Sequence, residues 1–370
     1  MRRQSVAVIG VRLSFAVLLL ALIAIGCEPS ASSPTSTVAT PPAASPSRTA
    51  SPSAPTRIQE SESPIPDVAG AFVLFQLPTE TGLRAVSFGG DVNGLLPTSI
   101  TQLSGYAGWQ QSPYGIPYIL GSTVYDRAGR SLGALPWTIR QTVTWSADGR
   151  LLCAAVPERA TTGAQMRLET ARPGEPAKLI ASGFMVYSDN ATYPVLACDA
   201  STDRAIVASF GQGVAPSRLT VFRLSTGAII RSVDYAGMMG WVAASADGTM
   251  LVETLPFDTA SQRWSATIRS ADDGTTMGRV DGFVAHGFSG DNSLLVGASE
   301  SIAAVVDWKT GRAVWSTSGT YGGFLAEPAG RRLAVGIGFV GGSDQRDVYL
   351  VSADGSAALL PAHVRVALRY

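Results

Sequence analysis

This sequence predicts an all-β fold, a seven-bladed β-propeller with four-stranded antiparallel blades. A glycine-bearing hairpin recurs seven times at spacings centred on the forties, a second turn recurs in phase between the hairpins, and the strands after that turn are apolar on both faces. Composition agrees: 39 glycines and 22 prolines with only 15% charged residues suit turn-rich β structure, whereas helical bundles need Glu, Lys and Leu in bulk.

The chain opens on a segment of another kind. Arg2, Arg3 and Arg12 flank FAVLLLALIAIG at 15–26, an apolar run too short for a membrane-spanning helix, which needs about 20 residues, but suited to a signal peptide. It ends Ala24-Ile25-Gly26-Cys27, which resembles the lipobox of bacterial lipoproteins. The resemblance implies that residues 1–26 are a lipoprotein signal peptide and that Cys27 carries lipid. The mature chain is then expected on the extracytoplasmic face of a cell membrane, at the cell surface or in a periplasm.

Residues 27–67 hold the lipidated cysteine and a spacer of mainly Ser, Pro, Thr and Ala, with Val38, Ile58 and Ile65 as its only larger aliphatics. Such a stretch buries too little apolar surface to offset its ordering entropy, so a disordered linker is expected. Residues 68–370 are assigned to the propeller domain. Without the three arginines of the signal, 25 basic residues face 28 acidic ones and no basic run occurs, which excludes nucleic acid as a partner held by charge.

Within 68–370 the hairpin glycines are Gly82, Gly129, Gly174, Gly227, Gly274, Gly311 and Gly355, at spacings of 47, 45, 53, 47, 37 and 44 residues. The second turn reads WSADGRLLCAAV, DASTDRAIVAS, ASADGTMLVET, FSGDNSLLVGA and EPAGRRLAVGI, with QSPYGIPYILG as a weaker copy. Each presents a small or acidic residue before one able to take positive φ, and then a strand apolar on both faces that needs neighbours on both. The first hairpin lacks such a turn, while the last is followed by the orphan strand HVRVALRY. That C-terminal strand is expected to close the first blade and remove the free edge of the ring.

These turns resemble those of the broad class of bacterial propellers that includes TolB-like, YVTN and WD-repeat proteins. One hairpin, Asp307-Trp308-Lys309-Thr310-Gly311-Arg312-Ala313-Val314-Trp315, is similar to the tryptophan-docking motif of quinoprotein propellers. That resemblance implies that Asp307 and Thr310 brace the hairpin while the tryptophan packs on the neighbouring blade.

Assigning Cys27 to lipid leaves Cys153 and Cys198, either a disulfide or two buried thiols. Catalytic residues are not assigned: the two histidines, His286 and His363, sit in strand-like runs, and no G-x-S-x-G elbow occurs. Neither a metal centre nor a cofactor is expected, because Asp272, Asp273, Asp291, Asn292 and Asp344 are explained by turn formation. Tyr106, Trp109, Tyr114 and Tyr118 form the candidate ligand-binding cluster. Two functions are open: a monomeric binding or interaction scaffold for a protein or glycan, and an extracytoplasmic propeller enzyme, whether quinoprotein-like oxidoreductase, lyase or hydrolase. The second would require charged groups converging at the central channel.

Overall fold

The computed structural model describes residues 54–99, 109–137, 143–158, 164–186, 195–209, 217–235, 242–258, 263–338, 345–361 and 363–368. No helix occurs among them. In chain order the strands begin with β1 (Thr56–Arg57), β2 (Phe72–Gln76), β3 (Gly82–Ser87) and β4 (Asn93–Ser99). Next come β5 (Trp109–Gln111), β6 (Tyr118–Leu120), β7 (Thr123–Tyr125) and β8 (Ser131–Ala134), then β9 (Val143–Trp145), β10 (Leu152–Pro157), β11 (Ala164–Ala171) and β12 (Lys178–Val186). They are followed by β13 (Val195–Asp199), β14 (Arg204–Ser209), β15 (Ser217–Arg223), β16 (Ile229–Tyr235), β17 (Val242–Ala244), β18 (Met250–Asp258), β19 (Arg263–Ser270) and β20 (Thr276–Asp281). The chain closes with β21 (Val284–Phe288), β22 (Leu294–Ser299), β23 (Ile302–Asp307), β24 (Arg312–Ser318), β25 (Tyr321–Ala326), β26 (Leu333–Ile337), β27 (Gln345–Val351), β28 (Ala357–Leu359) and β29 (Val364–Val366).

The fold is an all-β propeller with four-stranded antiparallel blades. Five of them, β5–β8, β9–β12, β13–β16, β17–β20 and β21–β24, are separate meanders. β13 touches both β9 and β17, and β17 touches β21, so the first strands of successive sheets stand side by side around a common axis. The remaining strands form one nine-stranded sheet instead of separate sheets, which corrects the expectation of seven free-standing blades. The cause is local: Gln345 and Arg346 of β27 pair with Arg365 and Val364 of β29, and this ladder fuses what lies on either side.

Stacking explains why the strands after each in-phase turn lack alternation. Leu152–Ala155, Ala205–Ser209, Leu294–Gly297 and Leu333–Gly336 are buried throughout, because each strand meets a neighbouring sheet on both faces. The small residues among them let the sheets approach closely.

Six of the seven expected hairpin glycines take positive φ; Gly82 does not. It opens β3, and the corresponding turn of its sheet is reached one strand later, where Gly90 takes φ 78° between β3 and β4. The repeat is therefore phased from Gly90, and the β2–β3 hairpin turns on Pro78 and Thr79.

The boundary expected at residue 68 also falls within chain that is already packed. β1 pairs in parallel with β28, Ile58 packs on the adjoining core, and Ile65 is buried against Leu96 and Trp109. Two of the three aliphatics of the spacer are thus used as anchors. Arg84, 2% exposed, fixes the segment by donating to the Ser61 carbonyl at 2.7 Å and to Glu62 at 3.1 Å, while Glu80 takes two further bonds.

The tryptophan hairpin adopts the bracing that its resemblance implies. Asp307 Oδ1 accepts from the backbone N–H groups of Lys309 and Thr310 at 3.0 and 3.1 Å. Trp308 is buried, donates from Nε1 to the Asn292 carbonyl at 2.8 Å, and lays its ring over Gly278 of the preceding blade.

Candidate functional site

The in-phase turns repeat one hydrogen-bonding unit. Ser146, Ser245 and Ser289 each donate to the aspartate two residues on, Asp148, Asp247 and Asp291, at 2.5, 2.5 and 2.6 Å. Each serine Oγ also accepts the backbone N–H five residues on, from Leu151, Met250 and Leu294, at 2.9, 2.9 and 3.0 Å. A short polar side chain thereby closes the turn, and the residue after the aspartate takes positive φ: Gly149, Gly248 and Asn292. In the turns less like the consensus, Asp203 and Ala329 take that conformation instead.

One turn departs from this unit. At Ser112-Pro113-Tyr114-Gly115-Ile116-Pro117, tyrosine replaces the aspartate and proline, which has no N–H, stands five residues after the serine. Ser112 therefore loses both partners that its counterparts keep. It is 1% exposed, and its Oγ has no hydrogen-bond partner. Tyr114 is freed from the turn network, exposed, and lies against Gly149 of the next turn.

These turns surround a cavity of about 340 Å³ at the end of the axis. Asp148, Asp199 and Asp247 line it, and among the described residues no Lys, Arg or His does. Its apolar lining includes Tyr114, Phe288, Phe324 and Leu325, with Ala147, Ala246 and Pro328. Phe324 reaches this position because Gly287 leaves room for its ring. The carboxylates are held by the turns: Asp148 through Oδ1, Asp199 by the Ser201 N–H at 3.0 Å and hydroxyl at 2.7 Å, and Asp247 by Ser245 and Thr249 of its own turn and Asn292 of the next.

Of the three aromatic candidates among the described residues, Tyr114 alone lines this cavity. Trp109 and Tyr118 are buried in the core shared with Phe72 and Leu74, and Tyr106 lies outside the described residues. Apolar inner strands demand large side chains between sheets, and Trp109 and Tyr118 meet that need. Tyr118 also hydrogen-bonds Thr98, and burial raises its hydroxyl pKa.

Cys153 and Cys198 lie on adjacent sheets with Cα atoms 6.2 Å apart, within the span a disulfide bridges. Cys27 and Asp344 lie outside the described residues. Asp272 pairs with Arg204 at 2.5 Å, which holds its carboxyl below the ordinary range, and Asp273 accepts the Thr275 N–H at 3.0 Å. His286 sits in β21, away from the cavity, stacked on Tyr321; burial lowers its pKa to about 4. His363 is exposed, 3.6 Å from Asp347. Elsewhere, the carboxylates of Glu60, Glu62 and Glu80 gather within 4.8 Å of one another, and the Arg84 guanidinium pairs with two of them.

The acids of the cavity were not singled out from the sequence, although their signal is present. Asp148 and Asp247 occupy the same place in the in-phase turn, so closing a ring brings them to one end of the axis. Phe288 and Phe324 gave no such signal, because their approach depends on Gly287 in the neighbouring strand.

No family model matches this chain, and no curated protein does. Solved structures similar to it include TolB from Acinetobacter baumannii, 14% identical, covering 81% of this chain and 80% of that one with a TM-score of 0.41. Hydrazine synthase of Kuenenia stuttgartiensis is 12% identical, with coverages of 83% and 98% and a TM-score of 0.48. The dihydro-heme d1 dehydrogenase NirN in complex with DHE is 12% identical, with coverages of 85% and 66% and a TM-score of 0.45. At these identities the likeness is one of fold, and no site residue is carried across.

Proposed function

We propose that this chain is an extracytoplasmic lipoprotein, anchored through Cys27, whose propeller is a binding scaffold with its ligand site at the channel mouth. The observation that carries the reading is the cavity of about 340 Å³ between the in-phase turns. Its volume falls in the range of small-ligand sites, and it combines an aromatic wall with a few fixed polar groups. Among the described residues no histidine or cysteine lines it, and its carboxylates, Asp199 with the Ser201 hydroxyl included, are engaged in closing turns. A rigid ring with ligand contacts on its connecting turns is a scaffold's arrangement.

The same reading counts seven blades, dividing the nine-stranded sheet into β25–β28 and a blade of β29 with β2–β4. The pairing of Phe75 and Gln76 with Val366 and Arg365 supports that division, since it places the last strand beside the first hairpin.

The test uses the full chain in its own envelope. Cys27→Ala is expected to abolish incorporation of labelled palmitate and to release the protein from the membrane fraction. Ala246→Trp, which fills the cavity, is expected to stay on the membrane but lose the envelope component that wild type retains after cross-linking. Continued membrane association and labelling of Cys27→Ala would overturn the anchor, and an unchanged cross-linking profile for Ala246→Trp would overturn the site.

A further inference from the structure

We propose that the channel-mouth cavity takes a small organic cation, an ammonium or amidinium group carried on an apolar body. This rests on the scaffold reading above and names the ligand class of its site.

Two independent observations carry it. The first is the balance of charge and surface: among the described residues that line it are three carboxylates, Asp148, Asp199 and Asp247, and no basic side chain, beside Tyr114, Phe288 and Phe324. Carboxylates favour a cation, and aromatic faces attract one through the ring quadrupole while burying its apolar body. The three aspartates are not the donor set of a bare metal ion. Among the described residues the only acidic trio with oxygens within 4.8 Å of one another is Glu60, Glu62 and Glu80. Carboxylates spread around a wider space suit a ligand with a body.

The second observation is Ser112. Ser112 is one of the residues lining the cavity and is 1% exposed, and its buried Oγ has no partner, because Tyr114 and Pro117 stand where the consensus turns keep an aspartate and an N–H. A buried hydroxyl without a partner is costly, and a ligand N–H donor would satisfy it. The turn that keeps the serine but loses its aspartate and N–H thus both exposes a tyrosine and leaves a hydroxyl without a partner. The substitution that removes the internal bond supplies the aromatic contact.

The experiment titrates the full chain with 2-phenylethylamine, 2-phenylethanol and 3-phenylpropionate, which share a ring and differ in charge. The amine is expected to bind at ~1 mM or tighter, a value within reach of so small a ligand. The alcohol should bind at least roughly ten-fold more weakly and the carboxylate more weakly still. This comparison needs no variant. Nα-acetyl-lysine amide presents the same ammonium on a protein-like stem; tighter binding than phenylethylamine would assign the cation to a partner's lysine, weaker binding to a free amine.

Asp148→Asn keeps the acceptor that closes its turn and should cut amine affinity several-fold while leaving the alcohol unchanged. Ser112→Ala removes no internal hydrogen bond, so the amine should weaken several-fold while the melting temperature stays the same or rises. Equal binding of alcohol and amine, both lost in Ala246→Trp, would overturn the cation and leave the scaffold site standing. No amine binding at ~10 mM would overturn the cation outright, with the cross-linking experiment still deciding the scaffold.

Discussion

Gln111 is bonded to Phe72 across two sheets: its Nε2 donates to the Phe72 carbonyl at 3.0 Å, while its Oε1 accepts the Leu74 N–H at 2.8 Å. On that edge of β2 the strand β29 pairs only with Phe75 and Gln76, so the side-chain amide continues the ladder where backbone runs out. Both backbone groups are buried, and Gln111→Leu would leave them unpartnered. A loss of about 2–4 kcal/mol follows, or a melting temperature lower by roughly 3–6 °C. Thermal unfolding of the variant checks this, and an unchanged transition would remove Gln111 from the account of stability.

Deletion of His363–Tyr370 removes β29, which links β2 to β27 and buries Val364 and Val366 in the core of Phe75, Val86 and Leu350. The two valines alone contribute about 3–6 kcal/mol, and the exposed edge of β2 adds to the loss. The truncated chain should melt more than about 10 °C below wild type. A melting temperature within error of wild type would show that the terminal strand does not close the sheet.

How far the sequence revealed this molecule depends on the length scale. The in-phase turns were legible because Ser-Ala-Asp-Gly carries its own closing bonds, so Asp148 and Asp247 announce the turn without help from the fold. The phase of the first hairpin was not, since Gly82 and Gly90 both follow a strand and only pairing with β29 decides between them. Ile58 and Ile65 look like chance aliphatics in a spacer until β28 and the Trp109 cluster provide surfaces for them. Tyr114 could be found as an aromatic but not as the exposed one, because Trp109 and Tyr118 carry the same signal and only sheet stacking separates them.

Cys153 and Cys198 join neighbouring sheets across a separation of 45 residues. A bond between them would restrict the unfolded chain and contribute about 4 kcal/mol on the chain-entropy model. Intact mass under non-reducing conditions is expected to fall two protons short of the reduced mass, and Cys153→Ala with Cys198→Ala should unfold at lower denaturant. Two free thiols by mass would show instead that the pair acts as small core hydrophobes.

His286 provides a pH dependence with a definite sign. Burial holds its folded pKa at about 4, against 6.5 in the unfolded chain, so between those values only the unfolded state takes up the proton. The stabilisation is complete above about pH 6.5 and is lost as pH falls toward 4, reaching about 2 kcal/mol by pH 5. Carboxylates held below their ordinary range, such as Asp272 beside Arg204, lose their contribution further down. Denaturant unfolding at pH 7.5 and 5 should therefore show a loss in wild type that His286→Phe lacks. Parallel losses in the two proteins would contradict the assignment.

Trp308 and Gly278 should behave as one unit, because the indole of one blade occupies the space above the glycine of the blade before it. A Cβ added at Gly278 would lie 2.8 Å from Trp308 Cε3, too close for either to stay, and so Gly278→Ala should cost about 1–3 kcal/mol. Trp308→Ala loses the buried ring and the bond from Nε1 to the Asn292 carbonyl, at about 3–5 kcal/mol. With the indole gone, the new methyl has room. Gly278→Ala should then cost nothing, or stabilise by restricting the unfolded chain. Equilibrium unfolding of the two single variants and the double variant gives the coupling directly, and it should exceed about 1 kcal/mol. Additive losses would mean that the tryptophan packs within its own blade and that the sheets are held together elsewhere.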